Sequence, residues 1–393
     1  MTLIAYQQAL EIIRSRSKTV SETETVELDA AVGRCLAAPV IAQFDSPKFD
    51  NSAVDGYAVF HHQDLAAGTT LRIAGTIAAG DLPTQTFGPG ESARVFTGGY
   101  LPRSCAAAAM QENVDVHDKT IVLRASLTPG ENVRKQGTEF RTGGLLAMPG
   151  DVVGPGTIAC AASQHFQKLV CVRKPKTAVF STGDEIVRPG SSASDSQIYD
   201  SNAPMLCALV QIFGGEVSES RIVRDSFHAL QEALQAASEQ NDLIVTAGGV
   251  SVGDRDYLPS VVEKLGVVHF HKVSLKPGKP VLFGTIGNAD IVCLPGNPAS
   301  AFVCAHLFVR AALEAMLGQN RPHPRCTIAL RGDVATGNRD EFFRCVLQDG
   351  EAVIHGEQAS FGVQSLMQAD CLVHVPAKTH HKSGELRTAI ILR

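Results

Sequence analysis

From Pro175 to Gly318 the sequence alternates short apolar, β-branched runs with segments of helical period, and that alternation restricts the fold more than any other feature. TAVFS (177–181), EVSESRIV (216–223) and DLIVT (242–246) read as strands; Asn202–Phe213 and Phe227–Ser238 read as the helices between them. YLPSVVEKLG, VVHFHKVSL, PVLFGTI and DIVCLPGNP continue the pattern, and a helix over Ala299–Leu317 ends it. Such alternation predicts a three-layer α/β domain with a mostly parallel sheet covered on both faces. In these sheets ligands bind at loops beyond the carboxyl ends of the strands.

The flanks differ. Before residue 174, runs such as LRIAGTIAAG, ESARVFTGG and TIVLRAS are broken by Gly and Pro, which predicts β structure. A helix over Leu3–Arg16 and the segment Val152–Ser163 frame this stretch, so residues 1–45 with 143–173 are expected to form one discontinuous N-terminal domain. Residues 46–142 then make a β-rich inserted domain, 174–320 the α/β domain, and 321–393 a small C-terminal β domain. The fold class is therefore multidomain α/β plus β.

Composition removes several alternatives. Hydrophobic residues at 44% and charged residues at 19% exclude a disordered chain, and a net charge of −5 speaks against a broad nucleic-acid surface. Any anion site must be a local cluster. Ten cysteines without a C-x-x-C pair, several inside apolar runs such as MLCALV and IVCLPG, read as small buried hydrophobes of a cytoplasmic protein. The first residues read as an amphipathic helix and not a signal peptide, and no apolar run is expected to reach the ~18 residues of a membrane span.

Chemistry-bearing residues gather at strand exits of the α/β domain. Thr182-Gly183-Asp184-Glu185 follows the first strand; its adjacent carboxylates suit Mg²⁺, and a solvated turn capped by Thr182 or Asp184 is the plainer reading. Gly248-Gly249-Val250-Ser251-Val252-Gly253-Asp254 follows another strand. Its glycines let backbone N–H groups converge on an anion, Ser251 can bond a phosphate, and Asp254 and Asp256 can hold a metal. It matches neither G-x-G-x-x-G nor a Walker A loop. In Lys276-Pro277-Gly278-Lys279-Pro280 two prolines stiffen a loop from which two lysines project, the make-up of an anion clamp. Leu294-Pro295-Gly296-Asn297-Pro298 opens a helix at a further strand exit, where Pro295 and Asn297 are either ligand contacts or turn formers. Together the loops predict a phosphorylated or adenylylated anionic substrate with a divalent cation. In the first half, the compact segment around Asp50 and Asp55 and the basic loop of Arg134, Lys135 and Arg141 are open to either a functional or a solvated-turn reading.

Five segments in order resemble the molybdopterin molybdenumtransferase family (bacterial MoeA and the gephyrin E domain): PKFDNSAVDGYA (47–58), STGDE (181–185) with SQIYDSN (196–202), AGGVSVGDRDY (247–257), KPGKP (276–280) and LPGNPAS (294–300). The resemblance implies four subdomains in an elongated homodimer and insertion of molybdate into adenylylated molybdopterin, releasing AMP with Mg²⁺ or another divalent cation. It implies functional roles for Asp55, Glu185, Lys276 and Lys279, with Thr97 contacting substrate. Substrate contacts are expected also from Thr182, Gly248, Gly249, Ser251, Gly253, Pro295, Asn297 and Arg134, and metal contacts from Glu185, Asp184, Asp254, Asp256 and Glu139. Implied partners are a molybdopterin adenylyltransferase and molybdoenzyme acceptors; neither nucleic acid nor membrane is expected. Three segments depart from the family pattern: Glu139 replaces an aspartate, Phe96-Thr97-Gly98-Gly99 replaces MTGA, and Arg224-Asp225-Ser226 replaces RDD. A non-catalytic scaffold and a stand-alone adenylyltransferase are the rival readings, and the large N-terminal half with its own FDNSAVDGYA segment favours the insertion enzyme over the latter.

Overall fold

A computed structural model describes residues 3–82, 84–251, 256–320 and 324–392. It divides the chain into two compact units. The first comprises Met1–Ala38, Pro149–Pro155 and Lys168–Arg393, and the second Pro39–Met148 with Gly156–Gln167.

At the centre of the first unit lies a six-stranded sheet of β1 (Lys176–Thr182), β2 (Glu216–Val223), β3 (Leu243–Ala247), β4 (Gly266–His271), β5 (Leu282–Ile286) and β6 (Ala289–Leu294). The spatial order is β2-β1-β3-β6-β5-β4. Pairings across β2, β1, β3 and β6 are parallel, whereas β6–β5 and β5–β4 are antiparallel. The expectation of a mostly parallel sheet thus holds for one side only. The physical reason is the connection: β5 and β6 are joined by Gly287-Asn288 alone, too short for the crossover that parallel strands need.

Alternation along the strands supplies both faces. Val179, Val245 and Val292 pack into one core with α1 (Asn202–Ile212) and the long helix beginning at Pro298. Their neighbours Ala178, Phe180, Ile244 and Ile291 enter a second core with α2 (Phe227–Ser238) and α3 (Leu258–Leu265). A period of two on central strands buried on both sides yields this three-layer stack. The helix from Pro298 runs to Met316, with a π-helical stretch at Ala305–Val309. Here the expectation of no membrane-length apolar run is corrected. By length and composition Pro298–Met316 could cross a bilayer, but 78% of it is buried inside the fold, as a core helix would be. Burial also accounts for the cysteines: seven are buried, three intermediate, and all ten are free thiols.

The C-terminal part of this unit is a closed ring of five strands, Arg325–Arg331, Asp340–Gln348, Glu351–Ile354, Cys371–Val375 and Leu386–Ile391, because Asp340–Gln348 pairs with both Glu351–Ile354 and Cys371–Val375. Closure leaves the strands without open edges. Leu275–Lys276 adds to the ring in parallel beside Asp340–Glu341, so the ring and the α/β sheet share one loop. Near the amino terminus, Thr23–Glu27 pairs with Lys168–Val172.

The second unit centres on another six-stranded sheet. Gly56–Val59, the end of the FDNSAVDGYA segment, lies between Glu91–Val95 and Ala107–Met110. Gly56 is obligatory, since a Cβ there would sit 1.9 Å from the Ala109 carbonyl oxygen. Gly56→Ala is therefore expected to destabilise the protein by about 1–3 kcal/mol in chemical denaturation, as overpacking does. Gly88→Ala, at a site with no atom within 4 Å of the added carbon, is expected to change stability by less than about 0.5 kcal/mol. Equal effects of the two would refute this account of the segment.

Candidate active site

Strands β1, β3 and β6 are parallel neighbours, so their carboxyl ends, Thr182, Ala247 and Leu294, emerge at one edge of the sheet. A cavity of about 690 Å³ opens there. Thr182, Glu185, Gly248, Gly249, Ser251, Asp256, Pro295 and Asn297, all singled out from sequence, line it together. Asp184 is exposed next to Glu185 but does not line the cavity, and Gly253 and Asp254 lie outside the described residues.

Close approach of backbones builds the edge. Gly248 has φ +100°, and a Cβ there would lie 2.4 Å from the Thr182 carbonyl oxygen. Only glycine permits both the left-handed turn and that contact. The Gly248 N–H donates to the Leu294 carbonyl at 3.1 Å, which joins the exits of β3 and β6. Asp200, buried, accepts from the Asn202 and Ala203 N–H groups at 3.0 Å each and so starts α1. Asn202 then donates through Nδ2 to the Gly296 carbonyl at 2.7 Å. The SQIYDSN segment is thereby a brace for the loop after β6, and its exposed Ile198 and Tyr199 form an apolar rim.

Negative charge accumulates on the cavity wall. Asp225, at the exit of β2, accepts from the Thr182 hydroxyl at 3.2 Å. Burial raises its carboxyl above the ordinary range; the Thr182 bond opposes this, while the charges of Asp184, Asp256 and Glu185 add to it. Sequence reading had noted Asp225 only as part of a departure from the family pattern, and its place at a strand exit was the signal that could have found it. Among the described residues no group of three or more His, Cys, Asp or Glu side chains is arranged to hold a metal ion. Of the carboxylates expected as a metal set, Glu185 and Asp256 line the cavity with Asp184 beside Glu185 in the chain and no finished coordination shell is formed among the described residues, whereas Glu139 belongs to the other unit.

The predicted lysine clamp is half engaged. Its loop is closed at the base by Lys272 N–H to Val281 O and Val273 N–H to Lys279 O, both 2.9 Å, and Pro280 reaches the cavity wall. Lys276 Nζ donates to Glu341 at 3.0 Å, a carboxylate buried on the C-terminal ring. Lys279 is exposed and forms no ion pair among the described residues. One lysine ties the loop to the ring, and neither is among the residues that line the cavity, which the loop reaches through Pro280.

The ring contributes a wall that the sequence had not indicated. Phe361 and Val363 line the cavity, and Ser360 fastens their segment to the start of the Pro298 helix. The Ser360 carbonyl accepts from Ala299 N–H at 3.0 Å and its hydroxyl from Asn297 Nδ2 at 3.1 Å. Behind them Arg344 is fully buried, donating to Ser365 Oγ (2.9 Å) and to the Glu357 and Ala359 carbonyls (2.9 and 3.1 Å). Its Nη1 has no partner among the described residues, and burial lowers the guanidinium pKa.

In the second unit Asp55 and Thr97 come together. Asp55 Oδ1 accepts from the Thr97 N–H at 2.7 Å and from its hydroxyl at 2.8 Å. The Thr97 backbone bond, the Thr97 hydroxyl and the nearby Arg94 charge hold the exposed Asp55 carboxyl below its ordinary range. The Asp55–Thr97 link is accordingly complete above the normal carboxylate range and lost as pH falls through the lowered value. Glu139 accepts from Ser46 Oγ at 2.6 Å, Lys135 pairs with Asp50 at 2.8 Å, and Arg134 is exposed. For Lys135 the solvated-loop reading gives way to an ion pair that pins the basic loop to the FDNSAVDGYA segment.

Comparison with known proteins agrees with this architecture. Residues 4–164 match the MoeA N-terminal region (domain I and II), 178–315 the "Probable molybdopterin binding domain", and 328–392 the MoeA C-terminal region (domain IV). A molybdopterin molybdenumtransferase of Haemophilus influenzae is 34% identical over 380 residues, covering 93% of this chain and 94% of the relative. One of Nostoc sp. is 32% identical over 381 residues, covering 93% and 87%. A crystal structure of the molybdopterin biosynthesis moeA protein from Pyrococcus horikoshii superposes with TM-score 0.87 at 26% identity over all of both chains. A second MoeA structure from that organism gives TM-score 0.79 at 31% identity over 99% of each. With a match that runs almost end to end and the glycine turn, carboxylates and lysine loop in place, the chain belongs to the molybdopterin molybdenumtransferase family, enzymes of molybdenum cofactor biosynthesis.

Proposed function

We propose that the cavity at the carboxyl ends of β1, β3 and β6 accepts adenylylated molybdopterin with molybdate and releases AMP together with the finished cofactor. The observation that carries this reading is the meeting of a glycine turn, a carboxylate group and the lysine-bearing loop, which reaches the cavity at Pro280, at one sheet edge. A substrate with several phosphate charges and a tetrahedral dianion repel each other, so donors and cations must offset that repulsion. Ser251 and the backbone turn at Gly248-Gly249 are suited to phosphate oxygens, and Lys279 to a further oxyanion.

The carboxylates fit a divalent cation held jointly with the substrate. Burial raises the Asp225 carboxyl first, and the neighbouring Asp184, Asp256 and Glu185 raise it further, a concentration of negative charge that an ion would relieve. The lack of a finished shell among the described residues suits Mg²⁺, which keeps waters and takes substrate phosphate oxygens. When bound, the ion would polarise the phosphoanhydride as a Lewis acid. Thr182 keeps Asp225 oriented through its hydroxyl, and Asp200 and Asn202 keep the loop after β6 in register with the glycine turn. The Asp55–Thr97 pair, held ionised on an exposed loop, is suited to completing the site from a partner subunit in a homodimer. The substrate would come from a molybdopterin adenylyltransferase, and the product would pass to molybdoenzyme acceptors.

Incubation with adenylylated molybdopterin, Mg²⁺ and molybdate is expected to yield AMP in a molybdate-dependent manner and to reconstitute a cofactor-free molybdoenzyme. Tight binding with neither product would favour a scaffold.

The two lysines should separate in stability. Lys279→Ala is expected to lower turnover by about 10²-fold without shifting the melting temperature. Lys276→Ala should in addition cost about 1–2 kcal/mol, because Glu341 is left buried while the lost lysine was itself half exposed. Thermal denaturation of both variants beside AMP release is the check, and an unchanged rate in folded Lys279→Ala would refute the clamp.

Asp225→Asn removes a carboxyl whose folded pKa is raised. Such a group contributes stability below its unfolded pKa that is lost as pH rises through the folded value. The variant should therefore melt above wild type at pH 8 without divalent ion, and this gain should shrink when Mg²⁺ and AMP are added. A wild type equally stable under all these conditions would remove the argument for a shared cation.

A further inference from the structure

The cavity at the carboxyl ends of β1, β3 and β6 is lined by the glycine turn and carboxylates and also by Ile198, Tyr199, Phe361 and Val363. We propose that Tyr199 and Phe361 on this apolar rim bind the face of a fused nitrogen heterocycle of the substrate, adenine or pterin, while the glycine turn holds its phosphate. The proposal rests on the reading of the cavity as the site for adenylylated molybdopterin and adds the residues that receive its rings.

Ile198 is 60% exposed, Tyr199 54%, Phe361 63% and Val363 50%. A single exposed apolar side chain is ordinary, but four from two separate segments lining one cavity of ligand size are not. In a strand successive side chains point to opposite faces, so packing Ile198–Tyr199 against the core would bury one of the two. Neither is buried, and this short strand gives no apolar side chain to the core.

Both segments are nonetheless fixed. The Ile198 N–H donates to the Glu185 carbonyl at 2.9 Å and the Asp200 N–H to the Val187 carbonyl at 2.8 Å, so Tyr199 stands between two backbone bonds. Phe361 follows Ala359, whose carbonyl accepts from the buried Arg344 at 3.1 Å, and Ser360, which accepts from Asn297 and Ala299. The loop after β6 is their common support, since Asn202 holds Gly296 from one segment and Ser360 holds Asn297 from the other. Aromatic side chains have few rotatable bonds, and on a pinned backbone they lose little entropy when a ring settles on them.

The chemistry of the substrate selects the occupant. Phosphates and hydroxyls are poor partners for aromatic and aliphatic surface, whereas the faces of its two ring systems suit it. Any purine or pterin offers such a face, and truncating one aromatic partner lowers affinity by about 5- to 100-fold. Phosphate bound at Gly248-Gly249 and Ser251 leaves the ring joined to it to meet the remaining, apolar lining of the same cavity.

Titration calorimetry of the full-length protein with AMP and with 6-hydroxymethylpterin tests the assignment. Tyr199→Ala and Phe361→Ala should each weaken at least one of the two by about 5- to 100-fold, and Tyr199→Phe should retain wild-type affinity. Ile212→Ala, which removes a side chain 69% exposed at the end of α1 and outside the cavity, should bind as wild type does. Because the chain contains no tryptophan, Tyr199→Trp and Phe361→Trp each install a single indole that keeps an aromatic surface. Quenching of these indoles by AMP but not by ribose 5-phosphate places adenine on the rim; indoles blind to AMP, with pterin binding weakened in the Ala variants, place pterin there. The proposal is overturned if neither compound binds wild type, or if both Ala variants bind both compounds as wild type does. It is also overturned if sedimentation shows that the Ala variants change the oligomeric state, which would make the rim a subunit contact. AMP release from the full substrate is followed in the same preparations. Molybdate-dependent release without any effect of the rim variants sinks the rim assignment alone, and a rim effect on binding without release sinks the insertion chemistry alone.

Discussion

The contact of Gly248 with the Thr182 carbonyl is the constraint on which the active site rests. Parallel pairing of β1 with β3 and of β3 with β6 brings three strand ends to one level, but their loops would still diverge without a shared turn. A left-handed glycine pressed against β1 and hydrogen-bonded to the end of β6 binds the three exits into one surface. Every other group of the cavity is referred to that surface: Thr182 reaches sideways to Asp225, and Asn202 reaches across to Gly296. Backbone contacts of this kind fix loop positions more tightly than side-chain packing does, because neither partner has rotamers to explore.

Charge is distributed in a way that follows from this geometry. Carboxylates crowd the side of the cavity near β1 and β2, where Asp225 is raised in pKa, and cationic groups sit toward the C-terminal ring, where Lys276 and Arg344 are anchored. Lys276 and Arg344 hold the ring in place by bonds to Glu341 and to the 357–365 segment, yet each belongs to a loop or wall that also meets the cavity. The ring is therefore part of the site's framework and not an appendage. The Lys276–Glu341 ion pair fastens the loop to the ring, whereas Lys279 of the same loop forms no ion pair among the described residues.

Much of this was legible in the sequence because local chemistry decided it. Helix Phe227–Ser238 has its observed limits where periodicity placed them, with Ser226 capping it through a 3.3 Å bond to Ala229 N–H. The glycine turn and the strand exits were readable because glycine and apolar runs report backbone geometry directly. What escaped depended on long-range placement. Nothing near Arg344 in sequence shows that residues 357, 359 and 365 will surround it, and Phe361 looks like any exposed loop residue until the ring folds against the Pro298 helix. Lys276 was read as an anion clamp because its partner Glu341 is 65 residues away. The antiparallel turn at Gly287-Asn288 was hidden for the opposite reason: β5 and β6 are both largely apolar, so hydrophobic pattern alone does not distinguish a hairpin from a crossover.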